Sequence, residues 1–191
     1  LELLERKIQE EGIALPGGVL KVDSFLNHQI DPEMSLAMGR EFARLFRGAG
    51  IDRVLTVEAS GIAIGVMAAM ELGVPLVFAR KKKSVLMHEP VYKHEVYSFT
   101  KKETSEIIVL QQYLPAGENV LVIDDFLANG EAALGLAGIV EEAGSKVAGI
   151  GIAIEKAFQR GHQRIIDKGY RLEALASIAS LDDGKITFTG K

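Results

Sequence analysis

Hydrophobic positions along this chain recur with two rhythms, one helical and one of short unbroken runs. Leu1, Leu4 and Ile8 are spaced as one face of a helix over residues 1–11, with Gly12 predicted as its C′ glycine. An irregular stretch over 13–30 follows, carrying Gly17, Gly18 and Asn27. Asp31-Pro32 then offers an N-cap and an N1 proline. Met34, Met38, Phe42, Leu45 and Phe46 line the apolar side of a second helix that ends near Gly48 and Gly50.

Beyond residue 52 the two rhythms alternate. Apolar runs at 53–57, 74–79, 120–123 and 147–154 are separated by helical patterns at 61–72, closed by Gly73, and at about 131–143, closed by Gly144. Such alternation predicts an α/β domain with a doubly wound, mostly parallel sheet and helices on both faces. Residues 80–105 hold no strong apolar period and break the rhythm; 84–105 is expected to be a mobile arm. The tail, 172–179, a turn at Leu181-Asp182-Asp183-Gly184 and 185–189, reads as strands near a hairpin. Residues 172–189 are expected to join 13–30 in a small hood lobe, the whole of 1–191 making one domain.

Composition narrows the classes. With 191 residues, of which 48% are hydrophobic, the chain suits one domain with a sizeable core. Its 22 Lys+Arg against 26 Asp+Glu leave −4, so no global basic field suggests a nucleic-acid partner. With no cysteine, disulfides, thiolate zinc sites and cysteine nucleophiles are excluded. No apolar run approaches the roughly 18 residues of a membrane span. The first residues are acidic and amphipathic, and a cytoplasmic location without a membrane partner is expected.

Specific chemistry is concentrated in thirteen residues, Val120-Leu121-Val122-Ile123-Asp124-Asp125-Phe126-Leu127-Ala128-Asn129-Gly130-Glu131-Ala132. In open parallel sheets, ligands gather outside the carboxyl ends of strands. Two carboxylates ending a buried strand are costly unless they meet water, a metal or ligand hydroxyls. The small, glycine-containing turn that follows opens a helix, where free N–H groups and the dipole favour a phosphate. Hydroxyl acceptors beside phosphate donors imply a phosphorylated sugar. Val57-Glu58-Ala59-Ser60-Gly61 is a second strand-to-helix turn able to meet an anion, and Arg80-Lys81-Lys82-Lys83 marks an anion-facing rim.

The 120–132 segment resembles the phosphoribosyl pyrophosphate (PRPP) signature of the type I phosphoribosyltransferases. That family usually carries Thr-Gly-Gly-Thr or a close variant in the turn. Here the turn is Asn129-Gly130-Glu131-Ala132, which sets a carboxylate close to the expected phosphate; Glu131 must therefore point away or interact with the helix dipole. Asn129 can replace one lost hydroxyl donor through its amide. Asp-Asp-Phe-Leu-Ala-Asn-Gly at 124–130, Ser-Phe-Leu-Asn-His-Gln-Ile-Asp at 24–31 and Ile-Glu-Lys-Ala-Phe at 154–158 are similar to the xanthine-using branch, nearly along the whole chain.

The resemblance implies purine salvage, with xanthine and PRPP giving xanthosine monophosphate and pyrophosphate. PRPP would meet Asp124, Asp125, Ala128, Asn129, Gly130, Glu131 and Ala132. Pyrophosphate would meet Ala59, Ser60, Gly61, Arg80 and Lys81, and the base Leu20, Asn27 and Lys156. Lys156 offers an ammonium to an exocyclic oxygen, which a 6-oxopurine has and adenine lacks. Phe126 or Phe158 could stack on the purine, but each reads more readily as a core residue and neither is assigned to the site. The resemblance also implies Mg²⁺ held through PRPP and waters, without a direct protein ligand, and a homodimer. The arm would close over PRPP or pack on a subunit partner. In hypoxanthine-guanine enzymes the position matching Ala128 usually carries an Asp proposed to manage the purine proton. No general base is assigned here, which favours the more acidic xanthine.

Other readings remain open. A related enzyme could take guanine, hypoxanthine or adenine. A PRPP-sensing regulator is expected to need a DNA-binding module for which these residues leave no room. A dinucleotide enzyme would need a Gly-x-Gly-x-x-Gly turn after the first strand, which does not occur. His28, His88, His94 and His162 show no metal-like spacing and read mostly as surface residues.

Overall fold

The computed structural model describes residues 1–81, 89–98 and 103–190. It begins with α1 (Glu2–Glu11), which buries Leu4 and Ile8. Gly12 closes this helix in an extended conformation, φ −74° and ψ 144°, rather than as a left-handed cap. A Cβ there would lie 2.4 Å from the Ile8 carbonyl oxygen, so close approach, not positive φ, requires the glycine. β1 (Ile13–Leu15) and β2 (Val19–Lys21) form an antiparallel pair, and a π-helical turn at Asp23–Asn27 leads into α2 (Pro32–Leu45). Asp31 caps α2 as predicted, its carboxylate accepting from the N–H groups of Glu33 and Met34 at 3.0 and 3.1 Å.

The remaining elements are β3 (Arg53–Val57), α3 (Ser60–Leu72), β4 (Leu76–Ala79), β5 (Val91–Ser98) and β6 (Glu103–Leu110). They continue with β7 (Asn119–Leu127), α4 (Glu131–Glu142), β8 (Lys146–Lys156), α5 (Gly161–Asp167), β9 (Leu172–Ser180) and β10 (Thr187–Phe188). The main sheet has the order β10-β9-β8-β7-β3-β4, all neighbours parallel except β10 on β9. Taken in chain order, its five parallel strands lie 2-1-3-4-5, so the direction of winding reverses between β3 and β7. In such sheets a crevice opens at the carboxyl ends of the two strands flanking the reversal.

Both faces are covered, as the sequence predicts. Along β7, Leu121 and Ile123 join the core with α2 and α3, whereas Val120 and Val122 join the core with α4, β6 and α5. This is the two-residue alternation of a strand buried on both sides. The α2 stripe lies on β8, where Phe46 and Phe42 occupy the space a Cβ would need at Gly149 and Gly151.

Three expectations change. β7 does not turn at the aspartates: it pairs with β8 from Asn119 to Leu127, so Asp124 and Asp125 lie within the strand. Residues 172–180 belong to the main sheet beside β8, and the later part of the tail meets β1. There, β1 contacts the turn Asp182–Gly184, and Gln9 Nε2 donates to the Ile186 carbonyl at 3.0 Å. The stretch without apolar period contains β5 and β6, paired antiparallel over eight positions. Polar Lys93, His94, Glu95 and Glu106 occupy much of that ladder, which hides the strand rhythm. The rest of the predicted arm, 84–88 and 99–102, lies outside the described residues. Among the described residues no helix is long and apolar enough to cross a membrane.

Candidate active site

A cavity of ≈ 740 Å³ opens at the carboxyl ends of β3 and β7, where the winding reverses. Its floor is formed by 57–61 and 124–133. Gly17–Val19 of the hood, Val96, Tyr97, Ser105 and Ile107 of the β5-β6 pair, and Lys156 and Gln159 beyond β8 complete the walls.

One wall accepts hydrogen bonds. Asp124 is buried, and its Oδ1 accepts from the Asp125 N–H at 2.9 Å. Burial, reinforced by the neighbouring Asp125 charge, holds the Asp124 carboxyl well above the usual carboxylate range. Asp125 accepts from the Phe126 N–H at 2.9 Å and from Asn27 Nδ2 at 2.7 Å. The same Asn27 nitrogen donates to Ser60 Oγ at 3.0 Å. Three residues expected to meet base, sugar and pyrophosphate are therefore joined in one network. With both amide hydrogens committed, Asn27 has its carbonyl oxygen left to offer a ligand.

The other wall donates. Gly130 enters α4 at φ 85°, and neither α4 nor α3 has a side-chain cap, unlike α2. Their first N–H groups are thus unspent at the cleft. At Gly61 a Cβ would lie 2.1 Å from Thr56 Oγ1, so only glycine lets α3 start this close to β3. The Glu58–Ala59 peptide is cis. Glu58 accepts from the Lys81 N–H at 2.6 Å, which ties the end of β3 to the end of β4. Lys81 lines the cleft; Arg80 bridges to Ile108 through its backbone and its side chain is exposed, outside the lining. Lys82 and Lys83 lie outside the described residues.

Glu131, at the start of α4, is ion-paired with Arg164 of α5. Arg164 Nη1 also donates to the Asn129 carbonyl at 2.5 Å, and the Gly161 N–H donates to the Ala128 carbonyl at 2.9 Å. The turn is consequently held from behind by α5.

Among the residues expected to meet the base, Lys156 donates to the Gly18 carbonyl at 2.9 Å and lies 5.7 Å from the Phe126 ring centre. Burial lowers its pKa. Leu20, the middle residue of β2, turns its side chain into the core and is not on the cleft lining. Phe126 packs on the core and also lines the cleft. Phe158, read as core, is 44% exposed, because β8 ends at Lys156 and the chain turns outward against Gly18.

Sequence reasoning missed Gly17–Val19, Gln159, Gly161 and Arg164, whereas Tyr97 belongs to the 84–105 arm expected to close over PRPP. The Gly17-Gly18 pair was a usable signal for a close backbone approach. The arginine could have been sought as the cation that Glu131 requires. Glu155 is also buried, accepting from Ser177 Oγ at 2.8 Å and lying 2.5 Å from His162 Nδ1. His162 is thus half-exposed but engaged.

Comparison with known proteins is consistent along the chain. Residues 29–179 match the family model described as the phosphoribosyl transferase domain. A protein of Lactobacillus delbrueckii subsp. bulgaricus named xanthine phosphoribosyltransferase is 57% identical over 188 residues, covering 98% of this chain and 100% of that one. One of the same name from Bacillus licheniformis is 56% identical, covering 98% and 97%. Among solved structures, adenine phosphoribosyltransferase from Thermoanaerobacter pseudethanolicus superimposes with a TM-score of 0.74 at 23% identity, covering 91% of this chain and 99% of that one. The Leishmania tarentolae adenine phosphoribosyltransferase gives 0.75 at 22%, covering 91% and 87%. At those identities the structures speak for the fold.

Proposed function

We propose, from the premise that this chain belongs to the phosphoribosyltransferase family, that it salvages xanthine by converting it with PRPP to xanthosine 5′-monophosphate and pyrophosphate. The observation that carries this reading is the pairing of a carboxylate wall with two uncapped helix N-termini across one crevice. Relatives at 56–57% identity bearing the xanthine name support the choice of base.

In this reading a purine ring nitrogen forms the new bond to the anomeric carbon. The carbon–oxygen bond to pyrophosphate breaks, and the purine gives up its ring proton. Asp124 and Asp125 accept from the ribose hydroxyls, and the N–H groups of 129–132 receive the 5′-phosphate. Ala59, Ser60 and Gly61 with Lys81 receive the departing pyrophosphate, Arg80 lying outside the lining. Catalysis then rests on alignment and on neutralising charge as it leaves.

Mg²⁺ fits this donor set as a substrate-borne ion. Among the described residues no three His, Cys, Asp or Glu side chains cluster as a protein cage, but Asp124 and Asp125 stand together at the cleft. They would hold its waters, and the ion would offset phosphate charge. Lys156 donates to an oxo group of the base, and Asn27 accepts from a ring N–H. Ala128 provides no carboxylate, so the purine must lose its proton readily, as xanthine does. The β5-β6 pair, whose Val96, Tyr97, Ser105 and Ile107 line the cleft, would help exclude competing water. A cytoplasmic homodimer completes the proposal.

The test is nucleotide formation by purified protein with Mg²⁺, PRPP and each of xanthine, guanine, hypoxanthine and adenine. Xanthosine monophosphate and pyrophosphate in equal amounts, fastest with xanthine, are expected. Hypoxanthine preferred at pH 7 overturns the choice of base, and no product from any base overturns the enzymatic reading.

A further inference from the structure

We infer that Arg164 is a positioning residue for PRPP: it draws the Glu131 carboxylate away from the phosphate loop and pins the loop's backbone. This rests on the reading of 128–132 as the phosphate-binding turn.

Glu131 is the first residue of α4, where the helix dipole attracts any anion. A phosphate arriving at the same N–H groups competes with that carboxylate and is repelled by it. Arg164 answers both problems through one nitrogen, Nη1, which meets the Glu131 carboxylate and the Asn129 carbonyl together. It pairs with Glu131, and it donates to the Asn129 carbonyl at 2.5 Å. One position earlier in the loop, the Gly161 N–H holds the Ala128 carbonyl at 2.9 Å. A Cβ at Gly161 would lie 2.5 Å from that carbonyl oxygen, so α5 sits as close to the loop as backbone allows. Carbonyls turned toward α5 leave the opposite, N–H side of the turn for the ligand.

Net charge at the pair sets an order that a purely structural role does not produce. Arg164→Ala leaves −1 beside the phosphate, Glu131→Gln leaves +1, and the double variant is neutral like the parent. The pair is partly exposed, with 40% and 26% of the two side chains accessible, so salt must weaken the effect.

KM for PRPP, kcat, and calorimetric affinity for Mg-PRPP are measured for all four proteins at low and high ionic strength. At low salt, Arg164→Ala is expected to raise KM about tenfold with kcat within about twofold, and Glu131→Gln to lower KM about twofold. The double variant should return to within about threefold of the parent, the remainder reporting the lost bond to Asn129. High salt should compress the series, and Arg164→Lys, which keeps the charge on a shorter side chain than Nη1 requires to reach both acceptors, should fall between parent and Arg164→Ala. A double variant as poor as Arg164→Ala, or Arg164→Ala indistinguishable from the parent, overturns the inference. A loss of fold cannot mimic the expected result, since the double variant lacks the same arginine. Failure of the parent to bind Mg-PRPP would instead remove the underlying reading of the loop.

Discussion

Replacing Lys156 with methionine keeps the bulk of the side chain and removes its donors. The ammonium donates to the Gly18 carbonyl at 2.9 Å and lies 5.7 Å from the Phe126 ring centre, with at least one N–H left for a base oxygen. A hydrogen bond from a charged donor contributes about 1.5–3 kcal/mol, so kcat/KM for xanthine should fall about 10- to 150-fold. Stability should move little, because the lost bond to Gly18 is offset by relief of a half-buried charge. Calorimetric affinity for Mg-PRPP should not change, since Lys156 contacts neither the acidic pair nor the phosphate turn. Adenine, without the oxo group, should lose nothing comparable. Steady-state kinetics with both bases decide the matter. A fall for xanthine of less than about threefold with PRPP binding intact refutes the assignment. An equal loss for PRPP and base would show that the lysine holds the cleft together instead of reading the purine.

Burial lowers the Lys156 pKa below its ordinary 10.5, so between those values the unfolded chain binds more protons than the folded one. Its contribution to stability rises with pH across that window while its service as a donor is lost; the alkaline fall in kcat/KM should be absent from Lys156→Met. Asp124 has the opposite sign. Its raised pKa means that ionisation costs stability above the ordinary carboxylate range, so Asp124→Asn should melt higher without ligand, yet bind PRPP more weakly. An unchanged or lower melting temperature counts against the burial argument. Gly61→Ala should cost about 1–3 kcal/mol in urea unfolding, since its Cβ would meet Thr56 Oγ1 at 2.1 Å. Adding Thr56→Ala removes that atom and should recover most of the loss; no recovery would show that the conflict lies elsewhere.

The sheet and the helices on it were legible because apolar period is a local property. The Asp31 cap and the α2 stripe could be read from neighbouring residues alone. The β5-β6 pair was not legible, since its strands stabilise each other through backbone ladders while carrying polar side chains. β7 outran its apolar run because its partner β8 continues past Asp124, a fact that belongs to two segments at once. The candidate site divides in the same way. Strand ends and glycine turns announced themselves, whereas Arg164, 33 residues from Glu131, and Gly18, 138 residues from Lys156, meet them only in three dimensions.

The reversal of winding between β3 and β7 separates two kinds of work. Groups suited to the sugar phosphate come from the ends of those two strands, while Lys156 and the hood approach from the neighbouring strand and from the beginning of the chain. On the proposed reading, a change of nucleobase would be written into the periphery without redrawing the central turns. The architecture behaves as a fixed handle with an exchangeable tip.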